Sequence, residues 1–266
     1  MKTKASLINL LVFLTFATAA SAGQPAKNTC SAWFDDFNGS AVNPNLWVVA
    51  NGQAPGYVPG VHRGYYVPAN VKVSNGWLTL TLNQASGLVD GKMGVISSGA
   101  LIYSVAKCGY GIYEWTMRMS STAGSPTVSG FPISGSVSAG FNYVNNSQTE
   151  IDFEFSALTS DTLWMVNWLN TRPRTAPTSD EETATYLAQF FPSSAIHTYK
   201  YVWAPGVITY YVDNIQGSVH TTDVPSTAAY IMINHWGTNS SGWGGHATLN
   251  TPRYFYIDRF SYTPPQ

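Results

Sequence analysis

The chain reads as an all-β protein, a sandwich or barrel of mostly antiparallel strands, and three observations predict this. A dozen or more short segments alternate apolar and polar residues with a period of two, the pattern of a strand with one buried face. Turn residues separate them, among them Ser74-Asn75-Gly76 and Asp213-Asn214, sequences that reverse a hairpin. No internal repeat of roughly 20–50 residues is visible, which argues against a propeller or a β-helix. Because the strands alternate instead of running solidly apolar, antiparallel sheets with one wetted face are expected.

In chain order, residues 33–39 read as a short edge strand and turn, and residues 52–64, with several Gly and Pro, as a loop. Residues 71–73 and 77–82 form a hairpin about Asn75-Gly76. Strands follow at 99–104 and 110–119. Residues 120–138, rich in Ser, Gly and Pro, are expected to be a loop. Further strands are expected at 140–143, 150–155 and 163–169. A polar, charged stretch spans 171–182, and a short helical turn is expected near 184–191. Residues 197–203, 207–212 and 216–220 make a meander, and 230–235 and 254–260 complete the set.

The N-terminus carries a short positive stretch (Met1-Lys2-Thr3-Lys4), an apolar run over 7–20, and Ala20-Ser21-Ala22, a small-x-small cleavage pattern. This predicts a secretory signal peptide over residues 1–22, with a single domain over 23–266 that is extracellular or periplasmic. The apolar run is shorter than the ~20 residues a membrane helix needs. A net charge of −1 gives nothing to attract nucleic acid or an anionic membrane, and a monomer is expected. The two cysteines, Cys30 and Cys108, are read as a disulfide, as befits an exported chain. Nine Trp and sixteen Tyr supply either a large aromatic core or flat platforms for sugar rings.

The most telling stretch is Thr149-Glu150-Ile151-Asp152-Phe153-Glu154-Phe155. Three acids share one strand face, where like charges repel, in a chain with only 10% charged residues. Residues i and i+4 of a strand lie about 13 Å apart at Cα. Two Glu side chains leaning toward each other bring their carboxyls to roughly 5–5.5 Å, the separation of a retaining glycosidase; the inverting separation of roughly 6.5–9.5 Å stays open. Asp152 between them can hydrogen-bond to either Glu and split their pKa values, so that one serves as nucleophile and the other as acid. The alternation does not decide which is which. A solvated acidic face and a calcium site are the competing readings of the same pattern.

Glu150-Ile151-Asp152-Phe153-Glu154 resembles the E-[IL]-D-x-E signature of glycoside hydrolase family 16, which includes lichenases, laminarinases, agarases, carrageenases and xyloglucan-active enzymes. The resemblance extends to Phe34-Asp35-Asp36-Phe37-Asn38-Gly39, to Tyr110-Gly111-Ile112-Tyr113-Glu114 with Arg118, and to His197-Thr198-Tyr199 with Trp203 and Tyr211-Val212-Asp213. Ile233-Asn234-His235-Trp236 and Tyr256-Ile257-Asp258-Arg259-Phe260 continue it in the same order. It implies a β-jelly roll whose concave sheet forms the glycan cleft. Glu150 then matches the nucleophile, Glu154 the acid/base and Asp152 the assisting acid. The implied activity is endo-hydrolysis of a β-1,3-1,4- or β-1,3-glucan with retention. Transglycosylation, another plant or algal polysaccharide, and a non-catalytic glycan-binding jelly roll are the rivals.

Gln148 stands where lichenases carry Trp, Tyr103 where they carry Arg, and Met119 at a usually basic position, so the linkage is left open. Trp236 is expected as a stacking platform and Asn234 as a hydrogen-bonding group near the nucleophile. His235, between them, is expected to face the core. Of Asn167 and Trp168 only one can face the cleft by alternation. Tyr103, and Tyr57 and Arg63 on the 52–64 loop, complete the candidate glycan ligands. The loops at 52–64 and 120–138 are expected to shape the cleft ends. No catalytic cofactor is implied. The resemblance does imply a structural calcium, held by backbone at Asp36 and Gly76 and by the Asp258 side chain.

Overall fold

The structure, a computed structural model, describes residues 30–266; the expected signal peptide lies outside the described residues. Seventeen strands follow in order: β1 (Trp33–Asp35), β2 (Trp47–Val49), β3 (Gly52–Gln53), β4 (His62–Tyr66), β5 (Val71–Ser74), β6 (Trp77–Val89), β7 (Lys92–Cys108), β8 (Gly111–Ser121), β9 (Ser136–Val144), β10 (Thr149–Ser156), β11 (Thr162–Trp168), β12 (Glu182–Ala188), β13 (His197–Ala204), β14 (Val207–Val212), β15 (Ile215–His220), β16 (Ala229–Gly237) and β17 (Arg253–Thr263). Among the described residues only two 3₁₀ turns are helical, Pro68–Asn70 and Ser179–Glu181. The helical turn expected near 184–191 is instead β12, because its alternating Thr183, Thr185 and Leu187 pair along β11.

The strands make two facing antiparallel sheets, the jelly-roll sandwich expected. One runs β2-β7-β16-β9-β10-β11-β12. The other runs β5-β6-β17-β8-β13-β14-β15, with β1 also on β17. Asn75-Gly76 and Asp213-Asn214 take the left-handed conformations that a tight hairpin requires. The distal halves of β6 and β7 continue as a hairpin closed by Asp90-Gly91, and β4 joins it in parallel to β7. The segment expected as a loop over 52–64 thus contains β3 and the start of β4.

The core between the sheets explains why β10 sits where it does. Its odd residues, Ile151, Phe153 and Phe155, are fully buried. Phe153 meets Trp115, Tyr199, Tyr201 and Tyr210 of the opposite sheet, with ring centroids 5.3–6.4 Å apart. Each such buried ring contributes about 1.5–3 kcal/mol by leaving water. By alternation the even residues, Glu150, Asp152 and Glu154, face the other way, onto the concave surface.

Cys30 and Cys108 are bonded, with Cα atoms 5.1 Å apart, and tie the first described residue to the end of β7. The bond closes a loop 78 residues long in sequence. Constraining such a loop in the unfolded chain stabilises by on the order of 4 kcal/mol. Replacing both cysteines with Ser is therefore expected to lower unfolding stability by about 2–4 kcal/mol, read as a shift in the denaturant midpoint.

Candidate active site

The concave face is read directly from strand register. Glu150 lies opposite Tyr143 of β9 and Trp168 of β11. Asp152 lies opposite Phe141 and Val166, and Glu154 opposite Ala139 and Trp164. One strand further out, Glu182 of β12 pairs with Trp168 and Tyr186 with Trp164. On the other side, Tyr230, Met232, Asn234 and Trp236 of β16 pair with Tyr143, Phe141, Ala139 and Val137. Beyond them stands Tyr103 of β7, opposite Met232 and edge-on to Tyr230 at 5.7 Å. The result is a trough with carboxylates along its floor and aromatic rings on both flanks.

The three carboxylates sit in different surroundings. Asp152, 4% exposed between Phe141 and Val166, has lost almost all its water. Burial, and then repulsion from Glu150, Glu154 and Glu182, raises its pKa well above the usual carboxylate range. Burial also raises Glu150 to about 7, but there a hydrogen bond from the Ser147 hydroxyl opposes it. Glu154 rises to about 8 through burial and repulsion from Glu150, moderated by a hydrogen bond from Trp243. Ser147 donates to Glu150, and the charge of Glu150 favours the proton on Glu154, an arrangement suited to a nucleophile beside an acid.

Two segments place the groups that make this difference. The β9–β10 turn holds Asn145, Asn146 and Ser147 in succession at φ of 47°, 50° and 61°. Asn tolerates this left-handed region; a run of three is strained and persists only when tied down. The ties are Gln148 N–H to the Asn145 carbonyl (3.1 Å), Asn170 N–H to the Ser147 carbonyl (2.9 Å) and the Asn170 amide to the Asn146 carbonyl (2.7 Å). Gln148 serves this turn, accepting from the Asn145 amide at 3.0 Å. Trp243 rides on the loop after β16, packed edge-on to Trp164 at 5.6 Å. Gly244 N–H donates to Ser156 Oγ at 3.0 Å, joining that loop to the end of β10.

A buried polar chain anchors the same loop from beneath. His62 Nε2 meets Ser97 Oγ at 2.7 Å, and the Gln84 amide donates to Ser97 Oγ and to the Thr238 carbonyl, each at 2.9 Å. Arg253 donates to Gln84 Oε1 and to the Thr248 and Thr251 carbonyls.

Several candidates land where the alternation put them, and others do not. His235 is fully buried between the Leu80 carbonyl and Ser120 Oγ, and burial holds it near a pKa of about 3. Trp168 faces the trough. Asn167 does not: it is fully buried on the core face, donating to the Thr222 and Asp223 carbonyls and facing His220 Nδ1 at 2.6 Å. Asn234 lies in the row of Glu154, not that of Glu150, because register pairs it with Ala139. Its amide donates to the Tyr66 hydroxyl at 3.4 Å, while its Oδ1 has no hydrogen-bond partner among the described residues. Trp236, 5% exposed, is packed with Ala54, Tyr66, Leu101 and Val137, so it shapes the floor and offers no open stacking face.

Tyr57 and Arg63 are engaged at the hairpin of β6 and β7. Both bind Asp90 at the β6–β7 hairpin tip, at 2.7 and 2.6 Å, and the guanidinium lies over the Tyr57 ring. On β4, Arg63 points to the face opposite Tyr66, because the two are three residues apart. Residues missed in the sequence are Ser147, Glu182, Trp164, Trp243 and Tyr66. Only Trp243, set among Ser and Gly, carried a local hint.

Among the described residues no three His, Cys, Asp or Glu side chains gather to hold a metal. The calcium set needs one carboxylate, and Asp258 stands at a bulge of β17 between Ile257, which pairs with Leu78, and Arg259. Asp36 follows the end of β1, whose Asp35 pairs with Phe260, and Gly76 lies in the β5–β6 turn. A Cβ on Gly76 would meet Asn38 Oδ1 at 3.1 Å. These are oxygen donors, and they suit a hard cation.

The model for the family "Glycosyl hydrolases family 16" matches residues 62–258. A β-glucanase of Paenibacillus polymyxa is 33% identical over 58% of this chain and 60% of its own. A β-glucanase of Paenibacillus macerans is 29% identical over 99% of each chain. The solved structure of Bacillus licheniformis β-glucanase superposes with a TM-score of 0.69 at 26% identity, covering 89% of this chain and all of the other.

Glu182, half-buried across Trp168 from Glu150, adds a fourth carboxyl group to the trough. Removing it as Glu182→Gln is expected to lower the titration midpoints of Glu150, Asp152 and Glu154, since each is raised in part by that charge. A carboxyl-carbon NMR titration of the folded protein reads this shift; unmoved midpoints would remove Glu182 from the site's electrostatics.

Proposed function

Because the chain belongs to glycosyl hydrolase family 16, we propose that it hydrolyses internal bonds of a β-1,3-1,4- or β-1,3-glucan with retention of anomeric configuration. It is a glycoside hydrolase; substrate linkage, stereochemistry and the roles below are our reading. The observation that carries it is a pair of glutamates on one strand face, with Asp152 between them, Glu150 held by the Ser147 hydroxyl and Glu154 by Trp243. The β-glucanase relatives support the substrate class.

In this reading a glucosyl ring lies in the trough between Trp168 and Trp164. The Glu150 carboxylate attacks the anomeric carbon while Glu154 delivers its proton to the departing glycosidic oxygen. The C–O bond to the leaving chain breaks as the C–O bond to Glu150 forms. Glu154, now ionised, then takes a proton from water, whose oxygen displaces Glu150. Asp152, held protonated by its dry position, can donate a hydrogen bond to a neighbouring carboxylate and spread its charge. Asn234 Oδ1, buried in the row of Glu154, is an acceptor with no donor among the described residues. The ionised carboxylates of the trough disfavour sulfated or otherwise anionic polysaccharides. Export, in accord with the disulfide, is part of this reading.

Glu150→Ala is expected to abolish turnover of mixed-linkage glucan and laminarin while leaving folding and glycan binding largely intact. Glu154→Gln should cut turnover by roughly 10²–10⁴-fold. NMR of the first-formed product should show retained β configuration; α product, or full activity in the Glu150 variant, would sink the assignment.

We also propose that Asp258, with the backbone carbonyls of Asp36 and Gly76, holds a structural calcium. Exhaustive chelation should then lower Tm, with calcium restoring it, and Asp258→Ala should abolish that response.

A further inference from the structure

The sheet opposite the trough carries a second feature of carbohydrate character. A groove of about 410 Å³, open along one side, runs over its outer face. That volume falls within the roughly 300–1,000 Å³ of small-molecule sites. Its floor is aromatic. Tyr256 stands at the centre, with Tyr254 nearly parallel to it at 6.1 Å and Trp77 edge-on at 6.5 Å. Trp77 and Tyr254 are half-buried, leaving ring surface in reach of a ligand, while the Tyr256 hydroxyl is spent on the Ala123 carbonyl at 2.7 Å. Lys72 and Asn75 line the groove with the hydroxyls of Thr79, Thr81 and Thr127.

The wall opposite β5 and β6 is Gly124, Ser125, Pro126 and Thr127, part of the 120–138 loop expected to shape the cleft ends. It lies here because Arg118, buried on the outer face of β8, donates to the Pro126 and Val128 carbonyls at 3.2 and 2.6 Å. The groove is thus built by a buried cation and an ordered loop.

We propose that this groove binds a second stretch of the same neutral β-glucan chain, away from the catalytic trough. The chemistry selects that occupant. Flat rings match the apolar C–H faces of pyranose rings, and hydroxyl, amide and ammonium groups match their edges. Lys72 is the single charged side chain lining the groove, so recognition does not depend on ion pairing. One open side lets a polymer pass through where a closed pocket would take only a chain end. The proposal rests on the glucanase reading of the trough.

Affinity electrophoresis in gels containing mixed-linkage glucan or laminarin tests it, using Glu150→Ala so that the polymer survives. Adding Trp77→Ala and Tyr254→Ala should weaken retardation several-fold. Thr127→Trp, which fills the groove from the exposed loop and leaves the sheet untouched, should do the same. In the active protein, both changes should raise KM on polymer and leave kcat/KM on short oligosaccharides unchanged. Equal retardation of parent and groove variants, in a protein that cleaves glucan, overturns the groove alone. A protein that cleaves and binds no glucan overturns the reading of the trough, and the groove's assignment with it.

Discussion

Burying like charges side by side is the constraint on which this structure turns. Glu150, Asp152, Glu154 and Glu182 crowd one face of a sheet, and three of them lie on a single strand. Nothing on that face neutralises them; hydrogen bonds from Ser147 and Trp243 only moderate the repulsion. The cost is carried by the other face of β10, where Phe153 sits among four aromatic rings of the opposing sheet. Raised pKa values give this cost a sign. A carboxyl whose folded pKa exceeds its unfolded one contributes stability below the unfolded value and loses it as pH rises through the folded one. For Glu150 and Glu154 that loss runs from about 4.5 up to about 7 and 8. The full cost is reached only above these folded values, and Asp152, raised well above the usual carboxylate range, carries it further up in pH.

What the sequence made legible was local. Alternation alone put the three acids on one face and turned His235 into the core, because a period of two is a property of the strand itself. Asn75-Gly76 and Asp213-Asn214 were readable because few residues accept left-handed backbone. Contacts made by register were not readable. Whether Asn167 or Trp168 met Glu150's row, and which acid Asn234 accompanies, depends on how strands far apart in sequence align. Glu182 reaches the trough only because β12 pairs on β11. Arg63 looked like a loop ligand, but a partner 27 residues away claims it. Ser147 gave no signal, since its role arises from a strained turn that neighbouring loops hold.

The same contrast separates the two aromatic surfaces. In the trough, rings flank groups whose protonation matters, and the Trp243 loop is fastened by a buried chain from His62 through Ser97 and Gln84 to Arg253. On the outer face no carboxylate lines the groove, and its wall hangs on one arginine. One fold thus presents two surfaces lined with aromatic rings, and the placement of carboxyl groups distinguishes them.

The long hairpin of β6 and β7 has a bearing on how the molecule fails. β6 is a member of one sheet through β5 and β17, β7 of the other through β2 and β16, and the two pair with each other beyond the sandwich. All seventeen strands therefore form one hydrogen-bonded network. The layers cannot slide or peel apart as independent bodies without breaking that shared ladder. Separating the two sheets is thereby coupled to global unfolding, and slow hydrogen exchange should spread evenly over both layers instead of marking one as the weaker half.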